Sequence, residues 1–141
     1  MESIHFFKED IRFRLNHAGL LKKWIHSVFR FYRISPGHIN YVFCSDPFLR
    51  KLNKDFLKHD YYTDILTFNV SDDQKKPEAD IFISIDRVRA DSKKFSTTFT
   101  DELHRVIVHG ALHLSGLNDR NSREQKKMKA AEDYWLSKRR F

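Results

Sequence analysis

The segment 101–115 most constrains what this chain can fold into. Leu103, Val106, Ile107, Val108, Ala111, Leu112 and Leu114 cover most sides of a helix, so that helix has to run through the centre of a fold. Two histidines, His109 and His113, stand four residues apart in that apolar surround. Residues so spaced share one face, with Cβ atoms about 5–6 Å apart, and two imidazoles there can close on one metal ion. Gly116 follows, suited to the left-handed turn that ends a helix. Beyond it the chain can turn and present Asp119 as a third ligand. Three protein ligands and an open position make the layout of a catalytic zinc centre rather than a closed structural one.

Spacing alone does not establish a metal. Eight histidines in 141 residues give roughly 0.4 four-apart pairs by chance. The residues leave two readings open, a metal centre and a pair of core histidines satisfied by buried partners. A zinc peptidase of the H-E-x-x-H type carries its general base directly after the first histidine. Here that residue is Gly110, so the peptidase mechanism lacks its base, and an open site would act mainly through a metal-activated water.

With 40% hydrophobic residues, 13 of the residues phenylalanine, the chain can bury a real core. The length fits one domain over residues 1–141. A single cysteine, Cys44, excludes an intrachain disulfide, fits a reducing compartment, and reads as a small core residue. The first residues lack a basic region followed by an apolar stretch, and no run approaches membrane-spanning length. The expectation is a soluble, cytoplasmic protein with no membrane partner. A net charge of +7 points to a polyanion, nucleic acid before others, or to a merely basic surface, and the lysines and arginines are spread along the chain.

The hydrophobic pattern predicts strands at Ile4–Phe7, Ile39–Cys44, Ile65–Val70 and around Ile81–Ile85. It predicts helices from an Asn16 cap to about Tyr32, from Asp46-Pro47 through Phe56, over Asp86–Phe95, and over about Asp101–Ser115. A last helix runs to about Lys138, opened by a capping box Ser122-x-x-Gln125. The fold class is α/β (α+β): one small mixed sheet of about four strands packed with about five helices, the histidine helix central. Strand order does not follow from the pattern.

The run His109-Gly110-Ala111-Leu112-His113-Leu114-Ser115-Gly116 resembles the strongest motif of the YbeY family of bacterial rRNA-maturation endoribonucleases, H-G-x-L-H-L-x-G. A second block of that family, L-N-x-x-Y-R-x-x-D-x-P-T-D-V-L-S-F, resembles Leu52 to Phe68, and a third, G-D-I-x-I, resembles Ala79 to Ile83. The blocks keep their order over about residues 40–120. The resemblance implies a single-strand-specific, metal-dependent endoribonuclease. It implies action in small-subunit rRNA 3′ end maturation and ribosome quality control. The implied partners are precursor rRNA and the small ribosomal subunit, and the implied cofactor is one zinc-type ion held by His109, His113 and a third ligand.

The departures from the family pattern bear on chemistry. The third ligand is usually histidine, and Asp119 stands at that place as a competent zinc ligand. The family's arginine after the aromatic residue is replaced by Leu57, with Lys58 next along as a stand-in that lacks a guanidinium's planar fork. Tyr62 replaces the usual proline. Asp64 either orients a water or ligand at the metal cleft or holds the strand entrance by turn chemistry. Asn53 either touches substrate or bonds backbone, His59 lies in a loop and either contacts phosphate or has no specific role, and His104 is off the His109 face and structural. Water and the RNA 2′-OH both remain possible nucleophiles. Two rivals stand beside the hydrolase: a non-enzymatic RNA-binding assembly factor with a structural metal, and a two-histidine-one-carboxylate iron enzyme.

Overall fold

The computed structural model describes residues 3–58 and 63–141, so His59 and Tyr62 lie outside the described residues. Its elements are β1 (Ile4–Lys8), α1 (Ala18–Phe31), β2 (Ile39–Cys44), α2 (Asp46–Leu57), β3 (Ile65–Asn69), β4 (Ala79–Ser84), α3 (Ile85–Lys94), α4 (Phe99–Leu114) and α5 (Ser122–Ser137). The four strands form one mixed sheet in the order β1-β2-β4-β3. The β1–β2 and β2–β4 pairs are parallel, with Phe6 opposite Tyr41 and Tyr41 opposite Ile81. The edge strand β3 runs antiparallel to β4, with Ile65 opposite Ile83. This α/β architecture is the one expected.

Side-chain alternation divides the core between the two sheet faces. Ile39, Tyr41, Phe43, Ile81 and Ile83 pack on one face with the apolar sides of α1, α3, α4 and α5. Cys44, Leu49 and Leu66 pack on the other with Phe48, Phe68 and Phe82, under α2. Cys44 is a buried core residue, and burial pushes its thiol up to about 12. Among the described residues, no helix is long and apolar enough to cross a membrane.

α4 is the central helix, its Val106, Ile107, Val108, Ala111 and Leu112 all buried. Two contacts fix it against the sheet. The buried Tyr41 hydroxyl donates to the Ile107 carbonyl at 2.8 Å. At Gly110 the helix comes so close that a Cβ would meet Ile81 Cδ1 at 3.2 Å and Ile65 Cδ1 at 3.3 Å. The residue after His109 is therefore small because the sheet lies directly beneath it.

Three expected helix starts are corrected. Asn16 does not cap α1; His17 does, in a left-handed conformation with no side-chain cap bond, its ring 5.9 Å from that of Phe141. Ile85 is not the end of a strand but the first residue of α3, because the Ser84 hydroxyl accepts from the Arg87 amide and turns β4 directly into the helix. The capping box Ser122-x-x-Gln125 is displaced by one residue. Asn121 Oδ1 accepts from the Glu124 amide at 2.9 Å, and Glu124 Oε1 reaches back to the Arg120 amide at 3.0 Å.

Candidate metal centre

α4 ends where the sequence places its end. The Leu117 amide closes on the Leu112 carbonyl at 3.1 Å, and Gly116 takes φ 105°, the left-handed region that a Cβ disfavours. That reversal carries the chain back over the helix. It brings Asp119 Oδ2 to 3.5 Å from His109 Nε2. The loop is pinned by Gln125, whose Nε2 donates to the Asp119 carbonyl at 3.1 Å.

His109, His113 and Asp119 line one cavity of about 470 Å³ between α4, the start of β3 and the face of α5. Thr63 and Asp64 line it as well. Among the described residues, no group of three or more His, Cys, Asp or Glu side chains stands in ready ligating geometry. The three candidate ligands thus share a cavity, and His109 and Asp119 lie close together within it.

His109 is the fixed point. Its Nδ1 meets Glu132 Oε2 at 2.8 Å, so Nε2 is the nitrogen left toward Asp119. The same carboxylate takes the Arg105 Nη1 at 2.9 Å through its other oxygen, and Arg105 Nη2 also binds Asp133 at 2.6 Å. Burial disfavours the charged imidazole of His109. The Glu132 hydrogen bond and the charges of Glu132, Asp119 and Asp64 outweigh that burial, holding the group above its ordinary value. Burial raises the Asp64 carboxyl, against the lowering effect of His109. Glu102, also lining the cavity, is raised by burial, with Arg105 opposing.

Glu132, Arg105 and Glu102 were not singled out in the sequence. The signal for Glu132 is present: it shares the buried stripe of α5 with Met128 and Trp135, at the i, i+4, i+7 spacing of a core face. A carboxylate in such a stripe needs a buried partner. Glu102 carries the same signal, buried in α4 two turns before His109, and Arg105 stands one turn before it, half-buried.

Lys58 is not among the residues lining this cavity. It is the left-handed C-cap of α2, its amide donating to the Asn53 carbonyl and its Nζ turned back to the Asp55 carbonyl at 3.4 Å. The neighbouring Leu57 is the last residue of that helix and is likewise not part of the lining. Asn53 is buried in α2, away from the cavity lining. His104 is structural: its Nδ1 accepts from Arg139 at 2.7 Å, and its ring packs against Trp24 and Phe141.

The sequence profile of the family Endoribonuclease YbeY matches residues 4–140. An Endoribonuclease YbeY of Cytophaga hutchinsonii is 46% identical over 140 residues, 99% of this chain and 98% of that protein. A Porphyromonas gingivalis protein of the same name is 41% identical over 133 residues, 94% of this chain and 87% of its own. The solution structure of a Thermotoga maritima protein superposes with a TM-score of 0.67 at 24% identity, covering 95% of this chain and 87% of that one, and so shares the fold. Matched along nearly its whole length by both profile and relatives, the chain belongs to the Endoribonuclease YbeY family.

Proposed function

We propose that this chain is a metal-dependent endoribonuclease that cuts single-stranded RNA in the cytoplasm. It acts in 3′ end maturation of small-subunit rRNA and in ribosome quality control, with precursor rRNA and the small subunit as partners. The ribonuclease activity is that named for its relatives. The observation that carries the metal reading is the orientation of His109. Glu132 takes its Nδ1, the arrangement that orients a metal-ligating histidine, and Nε2 is left beside Asp119 over the cavity. His113 lines the same cavity one helical turn later.

The donor set fits zinc: two imidazole nitrogens and a carboxylate oxygen, with room in the cavity for substrate. His109, His113 and Asp119 would hold the ion. When bound, it supplies Lewis acidity, making a water more acidic and drawing charge from a phosphate oxygen.

The remaining chemistry rests on the chain's own groups. Glu132 holds the His109 ring in one orientation, and Arg105, bound to Glu132 and Asp133, holds Glu132. Asp64 presents a carboxyl made more basic by burial, suited to take a proton from an attacking hydroxyl within the cavity. The +7 charge draws in a polyanionic strand. Elemental analysis of protein purified without added metal tests the reading. One divalent ion per chain in wild type and none in His109→Ala is expected, and a metal-free wild type that still cleaves RNA would overturn it.

A further inference from the structure

A second cavity, of about 580 Å³, also has the His109–Asp119 pair in its lining. It shares Glu102, Arg105, His109, Asp119 and Glu132 with the first, so the two form one continuous trough across the candidate centre. Its own wall is different in kind: Phe95, Thr97, Gln125, Met128 and Lys129. Met128 is a buried apolar floor, whereas Phe95 is 58% exposed although it is a large aromatic.

The backbone presents that ring deliberately. Phe95 caps α3, its amide bonded to the Asp91 carbonyl at 2.9 Å, and Thr97 closes the turn on the Ser92 carbonyl at 2.9 Å. Lys94 Nζ stands 5.5 Å from the ring centroid. Arg105 offsets Glu132 in the shared wall, and the depth of this cavity beside Met128 is apolar, where a phosphate would lose its hydration. A flat, uncharged group with hydrogen-bonding edges meets no such penalty. Gln125, Thr97 and Lys129 supply polar and positive groups in the lining, and Lys94 supplies positive charge at the Phe95 ring.

We propose that this second cavity is a nucleobase subsite: one unpaired base of a single-stranded RNA stacks on Phe95 above Met128, with its flanking phosphates on Lys94 and Lys129. Stacking on an aromatic side chain is how single strands are held independently of their pairing. The subsite rests on the ribonuclease reading and adds to it the position at which the enzyme senses an unpaired base. Gln125 links the two, since it lines the subsite and also holds the Asp119 carbonyl.

The test uses 2′-O-methyl oligoribonucleotides, checked to be intact after incubation, in which one nucleotide at a time is abasic, with binding measured to metal-loaded protein. Wild type is expected to lose about tenfold in affinity when the abasic position is the one facing Phe95. Phe95→Ala should bind the intact and abasic strands equally, at the weaker affinity, and Phe95→Trp should restore the difference. The exposure of Phe95 means that neither variant threatens the core. If Phe95→Ala discriminates intact from abasic strands as wild type does at every position, the subsite is wrong while the ribonuclease reading stands. If wild type neither binds nor cleaves single-stranded RNA, both fail together.

Discussion

Replacing Glu132 by glutamine tests the support of His109 without changing the volume of the side chain. In the wild type two donors converge on its two carboxylate oxygens, Arg105 Nη1 at 2.9 Å and His109 Nδ1 at 2.8 Å. Glutamine has one acceptor oxygen, and its amide group turns a donor toward whichever partner is left. Arg105 keeps Asp133 at 2.6 Å, so the loss falls on the histidine. One charge-assisted hydrogen bond in a half-buried site is worth about 1.5–3 kcal/mol, so Glu132→Gln should lose about 2 kcal/mol in urea unfolding. Loss of the orienting carboxylate should weaken zinc binding about 10- to 100-fold in a competition titration. In the metal-free protein, the His109 ring should titrate lower than in wild type, because the interactions that raise it lose their main source. An unchanged urea midpoint together with unchanged zinc affinity would refute the assignment of Glu132 as the group that holds His109.

Other expectations follow from separate parts of the molecule. His104 is buried and takes a proton only near pH 4 in the fold, burial being the main cause and Arg139 the next, against an ordinary 6.5. Between those values the unfolded chain binds more protons, so stability falls as pH drops from 6.5 toward 4, by about 1–2 kcal/mol in all with solvent screening, and His104→Gln should remove that slope from chemical denaturation curves. Gly110→Val places two extra methyl groups where a Cβ already meets Ile81 and Ile65 at 3.2 and 3.3 Å, and should cost at least about 2 kcal/mol in thermal unfolding and displace His109. Asp119→Ala should bind metal much more weakly, while Asp119→His, a neutral ligand, should keep it and move the pH–rate profile to lower pH. Full occupancy and unaltered kinetics in Asp119→Ala would mean that the third ligand lies elsewhere.

What could be read in the sequence was whatever depends on local pattern. The continuous apolar character of 103–114 marked α4 as central, and Gly116 marked its end because no other residue suits φ 105° as well. The pair His109 and His113 and the recurrence of Asp119 beyond the turn were legible for the same reason. Strand order was not, because β1, β2 and β4 pair in parallel across long stretches of chain while β3 reverses, and no local turn encodes that. The helix starts went astray where neighbouring polar residues compete: Asn121, rather than Ser122, reaches the Glu124 amide. Lys58 has the charge and the place in the chain for a stand-in arginine, but the left-handed cap turns it back onto its own helix. The place of Glu132 in the buried stripe of α5 is readable, but its pairing with His109 is not, because His109 is 23 residues away on another helix and only the packing of α5 on α4 joins them.

The central claim is that RNA cleavage by this chain depends on an ion held by His109, His113 and Asp119. The most direct measurement is the rate of cleavage of a single-stranded oligoribonucleotide by one preparation, as purified, after chelation and dialysis, and after zinc is restored. Activity lost on chelation and recovered with zinc in wild type, but not in His113→Ala, is the predicted result. Cleavage at an undiminished rate by protein shown to be metal-free would contradict it.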